Sequence, residues 1–148
     1  MKQTTPDSDI RKDPAIAVVA ASMSFDMDSG EIFRARDFLR DFLRRVRTVG
    51  GRPVTVDAAE IARLVVSELA TNVCKHAPGP CRLDLRVQAD VLTVTMRDYG
   101  WSGTPVVHRP DPDRVGQHGL EIVSALSRRM DVRQEPGGTR VRVEIPLA

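Results

Sequence analysis

The 148-residue chain predicts an α/β domain in which helices cover one face of an antiparallel sheet. Three observations carry this expectation. Two long segments, within 32–46 and 60–76, repeat apolar residues at helical spacing. Two adjacent segments, 81–87 and 91–98, alternate apolar and polar residues, as in a hairpin with one wet face. A third alternating segment, 139–145, follows near the C-terminus.

The elements follow in order. Residues 1–14 are polar and without periodicity, and are expected to form a disordered tail ahead of a single domain over 15–148. Residues 16–25, IAVVAASMSF, read as a strand. Asp28 with Glu31 resembles a capping box for the first helix. That helix buries Ile32, Ala35, Phe38, Leu39, Phe42, Leu43 and Val46, and Gly50-Gly51-Arg52-Pro53 stops it. Its other side carries Arg34, Arg36, Arg40, Arg44, Arg45 and Arg47. A solvated face partly paired with Asp37 and Asp41 is the simpler reading; a docking surface for an acidic partner is the other. Asp57 with Glu60 is expected to cap the second helix, and Pro78-Gly79-Pro80 to end it.

The hairpin strands turn at Gln88–Asp90. Residues 99–115, YGWSGTPVVHRPDPDRV, form a long loop without periodicity, a length that in a compact domain signals function or disorder. Gly116 to Gly119 open a helix with Leu120, Ile122, Val123 and Leu126 as its buried residues. A short strand over 130–135, a turn at Pro136-Gly137-Gly138 and the strand 139–145 complete the pattern.

The composition is 41% hydrophobic and 28% charged, that of one ordinary globular domain. A formal net charge of +2 is too small to argue for nucleic acid. The polar start, MKQTTPDSDIRKDP, does not read as a signal peptide, and no apolar run is long enough to span a membrane. Cys74 and Cys81 lack metal-ligand spacing and read as reduced packing residues of a cytoplasmic protein.

Three polar residues intrude on apolar faces. In the second helix Glu68, Asn72 and His76 stand one above another, and Asn72 falls between Ile61 and Val65 on the apolar stripe. Asp98 shares strand parity with Leu92, Val94 and Met96, and Thr139 with Val141, Val143 and Ile145. Each has a bland explanation: an Asn satisfied by backbone, an Asp that ends a strand, a Thr that begins one. Together they read better as the lining of a polar ligand pocket between helix and sheet.

The chemistry suggests the ligand. A carboxylate at Asp98 accepts hydrogen bonds, as the exocyclic amine of adenine requires. Gly100 lets a flat ring approach the backbone. Asn72 offers a neutral oxygen to Mg²⁺, which takes only one or two protein ligands. Gly116 and Gly119 frame a helix start suited to phosphate. The long loop before them suits a lid, and Glu68 could orient or deprotonate an attacking hydroxyl.

The order Glu68-x-x-x-Asn72, Asp98-x-Gly100, Gly116-x-x-Gly119, Gly138-Thr139 resembles the four boxes of the GHKL (Bergerat-fold) ATPases, across about residues 16–146. The short length and the phrase SELATNVCKHA are most similar to the bacterial anti-sigma-factor serine kinases. The resemblance implies a two-layer sandwich, with helices on one face of a mixed, mostly antiparallel sheet. It implies ATP or ADP with Mg²⁺ as ligand, Asp98 on the adenine amine, Thr139 supporting that contact, Asn72 on the metal and Glu68 as base. Gly100, Gly116, Gly119 and Leu120 complete the implied nucleotide-contacting set. Such kinases phosphorylate a serine or threonine on a small antagonist protein, and many bind a sigma factor as dimers, regulating transcription without touching nucleic acid or membrane themselves. One departure is visible: Ser102 stands where the first glycine box usually has its last glycine. Lys75, His76 and Arg114 are lesser candidates for phosphate contact, and Trp101 for packing at the lid base. The competing expectations are a nucleotide-responsive regulatory module without kinase activity, a detached histidine-kinase catalytic domain, and a structural domain that binds no nucleotide.

Overall fold

A computed structural model of the chain describes residues 18–100 and 115–148, with the backbone alone for 115–118. The elements are β1 (Val19–Met27), α1 (Ile32–Thr48), α2 (Val56–His76), β2 (Gly79–Gln88), β3 (Val91–Asp98), α3 (Val115–Leu126), β4 (Arg129–Glu135) and β5 (Gly138–Pro146), with a 3₁₀ turn at Ser29–Glu31. The sheet order is β1-β2-β3-β5-β4. The two-layer α/β sandwich is the expected one, and every pairing among the described strands is antiparallel. The expected tail and most of the expected lid lie outside the described residues.

Helical spacing puts Ala35, Leu39, Phe42, Leu43 and Val46 of α1 into the core. Alternation does the same for Cys81, Leu83, Leu85 and Val87 of β2, and for Leu92, Val94 and Met96 of β3. Cross-strand partners share a face, so apolar rows such as Met23, Leu83, Met96, Val141 build a continuous floor for the helices. The opposite face is wet and includes one row of four arginines, Arg82, Arg97, Arg140 and Arg133. Their charges are offset by ion pairs with Asp84, Glu135 and Asp131.

Several local expectations are corrected. The first strand runs on to Met27, because Asp26 and Met27 pair with Pro80 and Gly79, which themselves open β2 rather than merely end a helix. Asp28 accepts a hydrogen bond from Gly30 N at 2.8 Å, but Glu31 does not return to the cap; it pairs instead with Arg34. The second helix is capped by Thr55, whose hydroxyl accepts from Ala58 N at 3.0 Å, and not by Asp57. Asp57 lies inside the first turn, where a carboxylate still complements the helix dipole. In α3 Val123 is buried and Leu120 partly so, while Ile122 and Leu126 are exposed, because no described element covers that part of the helix.

The β2–β3 hairpin turns through two residues, Ala89 and Asp90, with φ of 52° and 61°. Such a turn favours Asn or Gly, and a non-glycine residue in this conformation costs roughly 1–2 kcal/mol. Asp90 has further work: it pairs with Arg52 at 3.1 Å, and its carbonyl accepts from Leu147 N. Ala89 makes no such contact among the described residues. Ala89→Asn is therefore expected to stabilise the chain by roughly 0.5–1 kcal/mol, read as a melting temperature about 2 °C higher.

Candidate functional site

One cross-strand row crosses the sheet near the C-terminal end of α2: Phe25, Cys81, Asp98, Thr139, Gln134. Phe25 and Cys81 are buried, Asp98 and Thr139 half-buried, Gln134 exposed. The row thus passes from hydrocarbon to polar groups along the face that carries the helices. The parity argument for Asp98 and Thr139 holds: the two stand directly opposite each other.

The Asp98 carboxylate accepts hydrogen bonds from the backbone N–H groups of Thr139 and Gly100. Burial pushes its carboxyl above the ordinary range, and those two N–H groups pull it partly back. Thr139 Oγ1 accepts from Gln134 Nε2 at 3.3 Å. The backbone around this pair leaves no room for side chains. A Cβ on Gly138 would stand 1.9 Å from the Asp98 carbonyl oxygen and 2.9 Å from Tyr99 Cα. Gly100 has φ of +58°, and a Cβ there would meet Gly137 O at 3.2 Å.

The other half of the candidate set lies on α2. Its buried stripe comprises Ala58, Ala62, Val65, Val66, Leu69, Ala70 and Val73, centred on Ala62, Leu69 and Val73. Asn72 is half-buried on the flank of that stripe, not within it as the sequence suggested, and Glu68 and His76 are half-buried as well. The reason is α3, which packs on that flank. A Cβ on Gly119 would fall 2.0 Å from Glu68 Oε1 and 3.1 Å from its carboxyl carbon. Glycine there lets the early turns of α3 lie against the Glu68 carboxylate. Leu120, next in α3, is partly buried against the core, and Gly116 lies in the helix's first turn.

The two halves meet through the cysteines. Cys74 of α2 and Asp98 both act electrostatically on Cys81, which places the last turns of α2 over the same end of the sheet as Asp98. Burial, with the Asp98 charge next, pushes the Cys81 thiol up to about 12, and burial also raises that of Cys74. Both stay protonated and unreactive, as free thiols. Glu68 with Gly119, and Asp98 with Gly100 and Thr139, are thus brought together in two local groups. Arg114, Trp101 and Ser102 lie outside the described residues. Lys75 is exposed. The sequence reading missed Gln134 and Cys81 as neighbours of the pair, because only strand register reveals them.

The framework of the site is thus a five-stranded antiparallel sheet under helices, with a half-buried carboxylate at the end of a central strand and a glycine-framed helix against a second. The profile of the histidine kinase-like ATPase domain family matches residues 28–145, and the chain belongs to that family. The chain is similar in fold to a crystal structure of the RsbU and RsbW domains of a Mycobacterium tuberculosis protein: TM-score 0.61 and 16% identity, over 86% of this chain and 32% of that one. It is similar also to the blue-light activated histidine kinase of Erythrobacter litoralis: TM-score 0.53 and 26% identity, over 78% of this chain and 45% of that one. The chain therefore spans about a third of the first and under half of the second. No curated protein matches it by sequence. Among the described residues no helix is long and apolar enough to cross a membrane.

Proposed function

We propose that the chain is an ATP-dependent protein serine/threonine kinase that acts as an anti-sigma factor by phosphorylating a small antagonist protein. The observation that carries the reading is the contact of the Glu68 carboxylate with Gly119, one turn before Asn72. It sets an acid beside the early turns of the helix expected to receive phosphate.

The residues present fit the nucleotide and its metal. The Asp98 carboxylate accepts from the two backbone donors of Thr139 and Gly100, and a carboxylate has about four acceptor sites, so it retains capacity for an adenine amine. Gly100, held close against the Gly137 backbone, would border the base. Thr139 would support the base, Asn72 would give Mg²⁺ its protein oxygen, and Gly116, Gly119 and Leu120 would border the phosphates. Bound Mg²⁺-ATP supplies a transferable phosphoryl group. Glu68 would orient the incoming hydroxyl and take its proton. The likeness in fold to a structure that contains an RsbW domain is consistent with this reading. A sigma factor and a second copy of the chain are its proposed partners, and the cytoplasm its proposed setting.

The test is incubation with radiolabelled ATP and candidate antagonist proteins. Glu68→Gln is expected to lower phosphotransfer by about 100-fold or more, the usual span of a lost general base, while Mg²⁺-ATP still raises the melting temperature. Unchanged transfer in Glu68→Gln would remove this residue from the chemistry. Absence of label with every antagonist, alongside intact ATP binding, would favour the regulatory module without kinase activity.

A further inference from the structure

The outer surface of the helical layer holds a second feature, formed by none of the Asp98 or Glu68 groups. A groove of about 520 Å³ runs between α1 and α2, lined by Phe33, Arg36, Asp37, Arg40, Leu43 and Arg47 on one wall and Val56, Ala59, Glu60 and Arg63 on the other, with Leu39 beneath. Two apolar residues of its walls stand exposed: Phe33 is 57% and Val56 74% exposed. Four arginines face two acids, Asp37 and Glu60, and Arg40 already pairs with Asp37 at 3.2 Å. Arg36 is half-buried, and its Nε is enclosed without a hydrogen-bond partner among the described residues. The enclosed Nε is out of reach of an incoming group, but Arg36 borders the groove, and a carboxylate is the group that the rest of its guanidinium bonds best.

We propose that this groove docks an amphipathic helix of a partner protein, apolar on one face and flanked by glutamate or aspartate. Two antiparallel helices present a furrow into which a third helix lays its ridge. The wall from Phe33 to Arg47 is about 21 Å long at 1.5 Å per residue, which matches about four turns of the incoming helix. Apolar side chains at every third or fourth position reach Phe33, Leu43, Val56 and Ala59. Carboxylates on the flanks meet Arg36, Arg47 and Arg63. The inference stands apart from the nucleotide reading, since no residue of the groove belongs to the Asp98 or Glu68 groups.

The test uses the full chain and a fluorescein-labelled, lactam-stapled 16-residue peptide. The peptide carries leucine at i, i+4, i+7 and i+11 and glutamate on the flanks. A second peptide replaces each glutamate by lysine. Fluorescence anisotropy is expected to show binding of the glutamate peptide that weakens as salt rises, and little binding of the lysine peptide. Arg36→Glu and Phe33→Asp are each expected to weaken it tenfold or more, while Arg36→Lys, which keeps the charge but not the planar fork, weakens it less. Asp98→Asn should leave it unchanged, and Mg²⁺-ATP should still shift the melting temperature of Arg36→Glu, which separates this result from any failure of the nucleotide site. The proposal is overturned by equal binding of both peptides, by no binding at 100 μM, or by variants that bind like the parent. It is also overturned if Phe33→Asp turns a dimer into a monomer in sedimentation velocity, because the occupant is then a second copy.

Discussion

Gly138→Ala is expected to destabilise the chain by about 3 kcal/mol or more, seen as a melting temperature lower by about 10 °C. The methyl group would stand 1.9 Å from the Asp98 carbonyl oxygen and 2.8 Å from its carbonyl carbon. Both are backbone atoms of a central strand, so neither can swing aside as a flexible side chain would. Relief requires β3 and β5 to separate where Asp98 pairs with Thr139. The change therefore strikes stability and the ligand site together: whatever fraction remains folded should have lost the Thr139 N–H contact to the Asp98 carboxylate. Thermal unfolding monitored by circular dichroism checks the first effect. A parent-like melting curve would mean that the strand ends part easily.

Asp98→Asn is expected to act almost entirely on the ligand. It replaces an acceptor-only carboxylate by an amide that turns a donor toward the donors it must bind, a loss of about 3 kcal/mol or roughly 100-fold in affinity. At 100 times the parental Kd, Mg²⁺-ATP should stabilise the parent by roughly 2.7 kcal/mol and the variant by under about 0.5. An equal thermal shift in both would remove Asp98 from the binding site. The same variant carries a pH signature. Burial raises the folded carboxyl of Asp98 above its unfolded value. Stability linked to its proton is therefore complete below the unfolded value and is lost as pH rises through the raised folded one. Asparagine does not titrate, so the stability difference should move in the variant's favour from about pH 4 upward, until the folded carboxyl is ionised.

Local periodicity made most of the fold legible. Strand parity alone placed Asp98 and Thr139 on the helix-facing side, and helical spacing aligned Glu68 with Asn72. What stayed hidden depends on contacts between distant segments. Register across β2, β3, β5 and β4 makes Cys81 and Gln134 neighbours of the Asp98–Thr139 pair, over as many as 58 positions, the span from Cys81 to Thr139. The flank position of Asn72 follows from α3, whose approach through Gly119 no pattern within α2 foretells. Ile122 and Leu126 look buried by composition and are exposed, because burial depends on which distant elements cover the helix. Thr55 took the cap from Asp57 because the helix begins two residues earlier, where Thr55 N also donates to Leu147 O at 3.0 Å.

The place of β1 in the sheet has a kinetic consequence. The two hairpins β2–β3 and β4–β5 close over loops of two residues each, from Gln88 to Val91 and from Glu135 to Gly138, and such short loops zip quickly. β1 instead must find β2 across the whole α1–α2 pair, with Val19 opposite Val87. It lies at the margin of the sheet, and only Phe25 and Met27 of its residues are buried. Its amide protons from Val19 to Met23 should exchange with deuterium well before those of β3 and β5, by a peeling of the margin that leaves the rest of the molecule assembled.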